Sequence, residues 1–425
     1  MAAALATSAP AVADDPTWDP ASSLGATNGD GLVVVSDSWG NDTATWSRWR
    51  TFNGVRVAEA VAATRPSNGG WSKVRVLGRA ARSTGVTVAT APDGAVTAVW
   101  VDESLDGAGR VLASRLRTAT FNGKAWSTAS DVSAESGRML APRLSVGPTG
   151  TAVVTWTRRR GDRFAALAAV RDDLGAWSAA HRLDDGTHRR VAADAVGIDD
   201  AGNATVLYTG GYGIRAQRWS AGSWSDAVSL TVGMPTQYDF EVAADGRAAI
   251  AFTAGDLAPV GARFMDAEGS WGAAVTVDER PAPVHDSAVA IEDDHVPGWG
   301  VAWTSGQHQV RLREWDGAVW TDTQVVATLT GQPTETILIY RRNSDATLAW
   351  NERFTTGASR VSVLTRTDGA WSGDPTALSG SSASLRNLRV AHSDDGHVVT
   401  LWDRTTGPDE VRGTVGDWYI PATIS

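Results

Sequence analysis

The sequence predicts an all-β chain folded as a single eight-bladed β-propeller of four-stranded blades, with seven blades as the fallback. Two repeated elements and one missing periodicity point there. A Trp-Ser-like element recurs at Trp71, Trp126, Trp177, Trp224, Trp271, Trp320, Trp371 and Trp418, at intervals of 47 to 55 residues. Before each lies a tight turn and a short apolar strand ending in an aromatic, as in Gly94 to Trp100, Gly150 to Trp156, Gly202 to Tyr208, Gly246 to Phe252 and Gly396 to Trp402. Pro297 to Trp303 and Ser344 to Trp350 keep the spacing without the glycine. No segment shows the 3.6-residue apolar spacing that a helical repeat of similar length requires.

Along the chain, residues 2–13 read AAALATSAPAVA and end in small residues. They predict a signal peptide or Ala-rich leader over 1–13, with cleavage before Asp14. A short segment, 14–20, leads into the propeller, 21–425. The first unit reads as strand A at Ala21 to Thr27, then Gly29 to Val35 as a strand B that has lost its aromatic. The third unit shows the pattern best: Arg143 to Val146 is strand A, Thr151 to Trp156 strand B, Phe164 to Arg171 strand C, and strand D opens at Trp177. The last unit ends on a strand D over Trp418 to Ile424, and Trp18 falls in the leader. A four-stranded unit of this size cannot cover its own faces, and radial stacking hides them. The repeat tryptophans are therefore expected in the core.

Composition narrows the function. The chain has 425 residues, 38 basic and 48 acidic, a net charge of −10 and no cysteine. The charge argues against nucleic acid as a partner, and the missing cysteine excludes disulfides and thiolate chemistry. No apolar run reaches the 18 residues of a membrane span. The seven histidines lack metal-ligand spacing, and neither a Gly-x-Ser-x-Gly elbow nor a phosphate loop occurs. Turn aspartates such as Asp93, Asp199 and Asp245 are explained by turn chemistry. The expectation is no catalytic residue, no metal and no cofactor.

The alternating Asp-Gly-x-x-x-x-x-Trp and Asp-Gly-x-Trp-Ser elements, the latter as in Asp368-Gly369-Ala370-Trp371-Ser372, resemble the repeat of secreted actinobacterial β-propeller proteins. The turns before strand D are similar to a shortened Asp-box of sialidase-type propellers. The resemblance implies a propeller that serves as a lectin, an adhesion module or, less often, a glycosidase. The Phe-Arg-Ile-Pro-type motif of sialidases is absent.

Two features stand outside the repeat. Each strand C carries an arginine near its start: Arg56, Arg110, Arg163, Arg215, Arg263, Arg311, Arg360 and Arg412. These are expected to pair with acidic side chains or carbonyls, and the sharper alternative is an electropositive ring for anionic glycans. The stretch between Val35 and strand C of the first unit reads as a long loop holding Trp39, Trp46 and Trp49. An indole face stacks on a sugar ring and an arginine holds its hydroxyls or carboxylate. Trp39, Trp46, Trp49 and Arg56 are thus the expected ligand-binding residues. The functional expectation is a secreted, extracellular, non-catalytic propeller that recognises an extracellular glycan or cell-surface polymer in a lectin-like way. The alternatives are a secreted glycoside hydrolase or lyase on a sialidase-like scaffold, and a protein-interaction or adhesion platform.

Overall fold

The computed structural model describes residues 17–417 apart from 28–30, 134–135, 212, 254–258, 279–283, 293–297, 307, 317–318, 341–344, 368, 381–383, 394–395 and 406–409. The expected leader over 1–13 and the expected final strand over 418–424 lie outside the described residues. Eight antiparallel sheets of four or five short strands form a closed ring, and no helix occurs among the described residues. In each blade, strands A to D run from the central channel outward. The A strands of neighbouring blades pack on one another around the channel, as Val284–Ile291 does on Gln237–Val242 and on Gln332–Tyr340.

The two sequence elements have distinct physical roles. The aromatic of strand B fills the wedge between blades. Trp46, Trp100, Trp156, Trp303, Trp350 and Trp402 are each no more than 1% exposed, and Tyr208 takes the same place in blade 4. Trp100, for example, packs against Ala60 of blade 1 and Val86 of its own strand A. The Trp-Ser tryptophan is only half-buried, lying over the end of strand C at the blade's outer edge. Its serine explains why the pair recurs. Ser72 Oγ accepts the Thr64 amide at 3.0 Å while its own amide donates to Thr64 O at 2.7 Å. Ser127 does the same to Thr120, Ser178 to Val170 and Ser225 to Arg218. The hydroxyl continues the ladder where strand D starts and leaves no buried amide unpaired.

Two boundaries differ from the sequence reading. In blade 1, Val33–Ser36 is strand A, and the expected long loop is strand B, Asp42–Phe52, paired along its length with strand C, Val55–Arg65. The turn glycine is Gly40 (φ 75°), not Gly29, and the strand-B aromatic is Trp46, six residues on. Asp37 shapes this turn. Its carboxylate accepts the amides of Trp39 (3.0 Å) and Asn41 (2.8 Å), so the turn carries no Asp-Gly pair for a motif to match. The first blade has thus kept its aromatic.

The second difference is ring closure. Ser22–Ala26 is not strand A of blade 1. It pairs with Glu410–Asp417, strand C of blade 8, and Thr17–Trp18 pairs with the end of that same strand. Blade 8 therefore takes three strands from the C-terminal end of the chain and its outer strand from the N-terminal end. Trp18 fills the outer tryptophan position and packs near Trp402, Val361 and Leu378. Polar contacts lock the seam between blades 8 and 1. Trp46 Nε1 donates to Ala26 O at 2.9 Å. Buried Arg65 donates to Asp42 Oδ2 (3.1 Å) and to His397 Nε2 (2.9 Å).

Trp46 is therefore a packing residue, and Trp46→Ala is expected to cost about 3–5 kcal/mol of stability. Trp39→Ala, at an exposed turn, is expected to stay within about 0.5 kcal/mol of the parent. Denaturant unfolding of the two variants checks this. Equal losses for both would contradict the strand assignment.

Candidate ligand-binding face

The four expected ligand residues do not form one platform. Trp39 is 57% exposed in the A–B turn of blade 1, beside the A–B turn of blade 2, where Ser38 Oγ donates to Pro92 O at 2.8 Å. Trp46 is sealed in the blade. Trp49 lies near the far end of strand B, roughly 23 Å along the strand from Asp42 at about 3.3 Å per residue. Only Trp49 and Arg56 meet, with the Arg56 guanidinium 4.4 Å from the centre of the Trp49 ring. A strand that crosses the whole blade separates residues that a loop would have gathered.

The two rims of the ring differ in the side chains that shape them. A–B turns are shaped by aspartates such as Asp37, Asp93, Asp199 and Asp245, which accept their own backbone amides. Arginines crowd the opposite rim, made by the B–C hairpins and D–A loops. No uniform ring forms there, because most strand-C arginines are neutralised or bonded locally. Arg110 pairs with Asp106 (2.8 Å), Arg311 with Asp278 (3.4 Å) and Arg360 with Glu352, while Arg263 donates to the carbonyls of Gly272 and Ser229.

On blades 3 and 4, Arg159, Arg160, Arg163 and Arg190 have no carboxylate partner among the described residues. Strand B of blade 3, Ala152–Arg160, ends in Arg158-Arg159-Arg160. Arg159 donates to Gly161 O (2.9 Å) and lies over the Phe164 ring, and Arg160 donates to Ser136 O (2.7 Å). Arg163 and Arg190 have no side-chain partner among the described residues. The Arg160-Gly161-Asp162 hairpin tip is solvated, with Asp162 3.4 Å from Arg189.

Grooves of one kind lie between adjacent B–C hairpins on this rim. One of about 670 Å³ runs between blades 2 and 3, past Leu112, Arg115, Arg138, Arg159 and Arg160. A second of about 740 Å³ lies between blades 3 and 4, past Arg159, Phe164, Arg190 and Met234. A third of about 560 Å³ lies between blades 6 and 7, past His308, Arg353 and Phe354. The recurrence follows from the repeat, since each blade junction brings two hairpins and one D–A loop together.

The channel opens on the same rim through a cavity of about 880 Å³. Its wall is the first half of several A strands, including Leu32, Thr84, Arg143, Asp194, Tyr238 and Arg389. Polar side chains on A strands tie blades 5 to 8 one to the next. Asp239 accepts the Val289 amide (3.0 Å), Asp286 that of Thr336 (2.6 Å) and Glu335 that of Leu388 (3.2 Å). Burial pushes Asp239 up to about 6, and burial pushes Asp286 up to about 7, with the charges of Asp239 and Glu335 adding to the rise. Asp194 also lies above the usual carboxylate range because of burial, although Tyr238, Thr209 and Arg143 oppose the shift. Sequence reading missed this inner ring. Its only signal is a polar residue inside an otherwise apolar strand A. Among the described residues, no group of three or more His, Asp or Glu is disposed to hold a metal ion.

No protein-family model and no curated protein matches the chain. Among solved structures it is similar to the polysaccharide lyase Uly1 (10% identity, 92% of this chain and 90% of that one, TM-score 0.49). It is also similar to the BP39L lectin from Burkholderia pseudomallei (13% identity, 83% and 100%, TM-score 0.49) and to the Hadza microbial sialidase Hz136 (12% identity, 84% and 73%, TM-score 0.40). At these identities none of them carries an activity to this chain.

The raised carboxylates give a pH dependence of definite sign. Unfolded aspartates titrate near 3.9, so between pH 4 and 7 the folded chain holds protons that the unfolded chain has lost. This contribution to stability is complete below pH 4 and disappears as pH rises through 6 to 7. At constant ionic strength, the part of the melting temperature's fall between pH 5 and 8 that is due to Asp286 is expected to vanish in Asp286→Asn. Parallel pH profiles for the parent and the variant would remove Asp286 from the account.

Proposed function

We propose that the protein is a non-catalytic carbohydrate-binding propeller that holds an acidic extracellular polysaccharide across its arginine-bearing rim, acting outside the cell. The observation that carries this reading is four arginines, Arg159, Arg160, Arg163 and Arg190, without carboxylate partners among the described residues and set along grooves, on a chain whose net charge is −10. An arginine fork binds a carboxylate or sulfate through two charge-assisted hydrogen bonds. Adjacent junctions repeat the groove, so a polymer meets more than one contact and gains by effective concentration. The Trp49–Arg56 pair on the same rim supplies a further aromatic-and-cation contact, the one part of the expected site that is assembled. Trp39 lies on the other rim and has no part in it.

A protein-binding reading has one observation in its favour. Phe52, Val55 and Leu112 are exposed near the B–C hairpins of blades 1 and 2, where apolar side chains suit a protein partner.

The test is calorimetric titration with polygalacturonate, alginate and a neutral glucan. The acidic polymers are expected to bind without release of reducing ends, and the neutral glucan to bind at least tenfold more weakly. Each of Arg159→Ala, Arg163→Ala and Arg190→Ala is expected to weaken binding roughly tenfold, since a hydrogen bond to a charged group contributes about 1.5–3 kcal/mol. The affinity is expected to fall as salt rises. Equal affinity for the neutral glucan would overturn the reading, and new reducing ends would favour the hydrolase or lyase alternative.

A further inference from the structure

Two arginines at the channel mouth are built alike and are not consumed by their neighbours. Arg143 stands on strand A of blade 3 and Arg389 on strand A of blade 8, Leu385–His392. Arg143 Nε donates to Asp194 O of blade 4 at 3.1 Å, and Arg389 Nε donates to Leu32 O of blade 1 at 3.0 Å. In both, Nη1 donates to the carbonyl of the preceding residue, Pro142 at 3.3 Å and Leu388 at 2.6 Å. Each guanidinium is thus fixed by backbone acceptors alone. Nη2 has no partner among the described residues in either case, and neither charge meets a carboxylate in an ion pair.

The acids around them are differently placed. Asp194 accepts the Thr209 amide at 3.0 Å and a hydrogen bond from the Tyr238 hydroxyl. Asp239 is turned to the Val289 amide. Both acids are engaged by the blade walls, while each arginine keeps an Nη2 donor without a partner among the described residues and lines the cavity. The two arginines feel each other's charge: burial holds Arg389 below its ordinary value and Arg143 adds to that depression, while the carboxylates of Glu335 and Asp403 oppose it. Both line the same 880 Å³ cavity, a volume within the range of small-molecule pockets.

From this arrangement we infer that the channel mouth is a separate site for a single carboxylate-bearing sugar, held between the free edges of Arg143 and Arg389. The cavity adjoins one rim groove, and that groove adjoins the next. Arg138 lines both the channel mouth and the groove between blades 2 and 3, and Arg159 lines that groove and the next. The ligand is therefore the terminal acidic residue of the polymer that lies in those grooves, which rests on the reading given under Proposed function. The rim grips the chain along its length and the channel receives its end.

The experiment titrates the full protein with D-glucuronate and with its uncharged methyl ester. Glucuronate is expected to bind saturably at one site per chain, and the ester at least tenfold more weakly. Arg389→Gln is expected to weaken glucuronate at least tenfold. Because Arg389 also ties two blades, Thr84→Trp is a second variant, filling the cavity with both arginines retained, and the same loss is expected. Arg159→Ala and Arg190→Ala are expected to leave glucuronate unchanged while weakening polygalacturonate. Equal binding of acid and ester, or parent-like glucuronate binding by folded Thr84→Trp, overturns the channel site. If polygalacturonate binds and glucuronate does not, the channel site fails and the rim reading stands. If glucuronate binds in the channel and no polymer binds the rim, the rim reading fails instead.

Discussion

Everything in this molecule depends on closing the ring. A four-stranded blade leaves apolar surface on both faces, and only a neighbour on each side covers it. The closing contact is the pairing of Ser22–Ala26 with Glu410–Asp417, which joins the two ends of the described chain in one sheet. Packing across that seam is of the same kind as at every other junction. Leu24, Val34, Trp46 and Leu401 share one cluster, so blades 8 and 1 are sealed by the core as well as by hydrogen bonds. With no cysteine in the chain, stability rests on this packing and on the side chains that tie A strand to A strand.

Closure also fixes where chemistry is available. Blade faces are consumed by their neighbours, and the wedge aromatics leave no room for a ligand within the wall. What stays open is the two rims and the mouth of the channel. Repetition then gives several junctions a groove, and divergence among the copies decides what the groove holds. Blade 3 has gathered Arg159, Arg160 and Arg163 at its B–C hairpin, whereas Arg311 of blade 6 and Arg360 of blade 7, the equivalents of Arg163, are paired with Asp278 and Glu352. The asymmetry of an otherwise symmetric ring is what singles out one sector for the proposed binding surface.

The sequence carried the blade number and the packing roles of the tryptophans because each depends on local spacing that recurs. Gly94 to Trp100 and Trp126-Ser127 are short patterns, each tied to one turn or one ladder start. The closing strand was not legible. Trp18 and Gly416 pair across nearly the whole chain, and no spacing signals such a contact. Blade 1 is misleading in the sequence because the nearby Gly29-Asp30-Gly31 before Val33-Val34-Val35 imitates a turn followed by a strand, ahead of the turn at Gly40. Trp46 was then counted as surplus when it was the missing wedge residue. The channel arginines escaped notice for a different reason. Arg143 and Arg389 come from blades far apart in the chain, and only the closed ring brings them to one cavity.

The central claim is that one rim, and not the other, faces an acidic polysaccharide. Hydrogen–deuterium exchange with and without polygalacturonate tests it most directly. The account predicts slower exchange at the B–C hairpins around Gly54, Gly109 and Gly161 and at the D–A segment around Arg190, with no change at the A–B turns around Gly40, Gly94 and Gly202. Protection confined to the A–B turns, or spread equally over both rims, would contradict it.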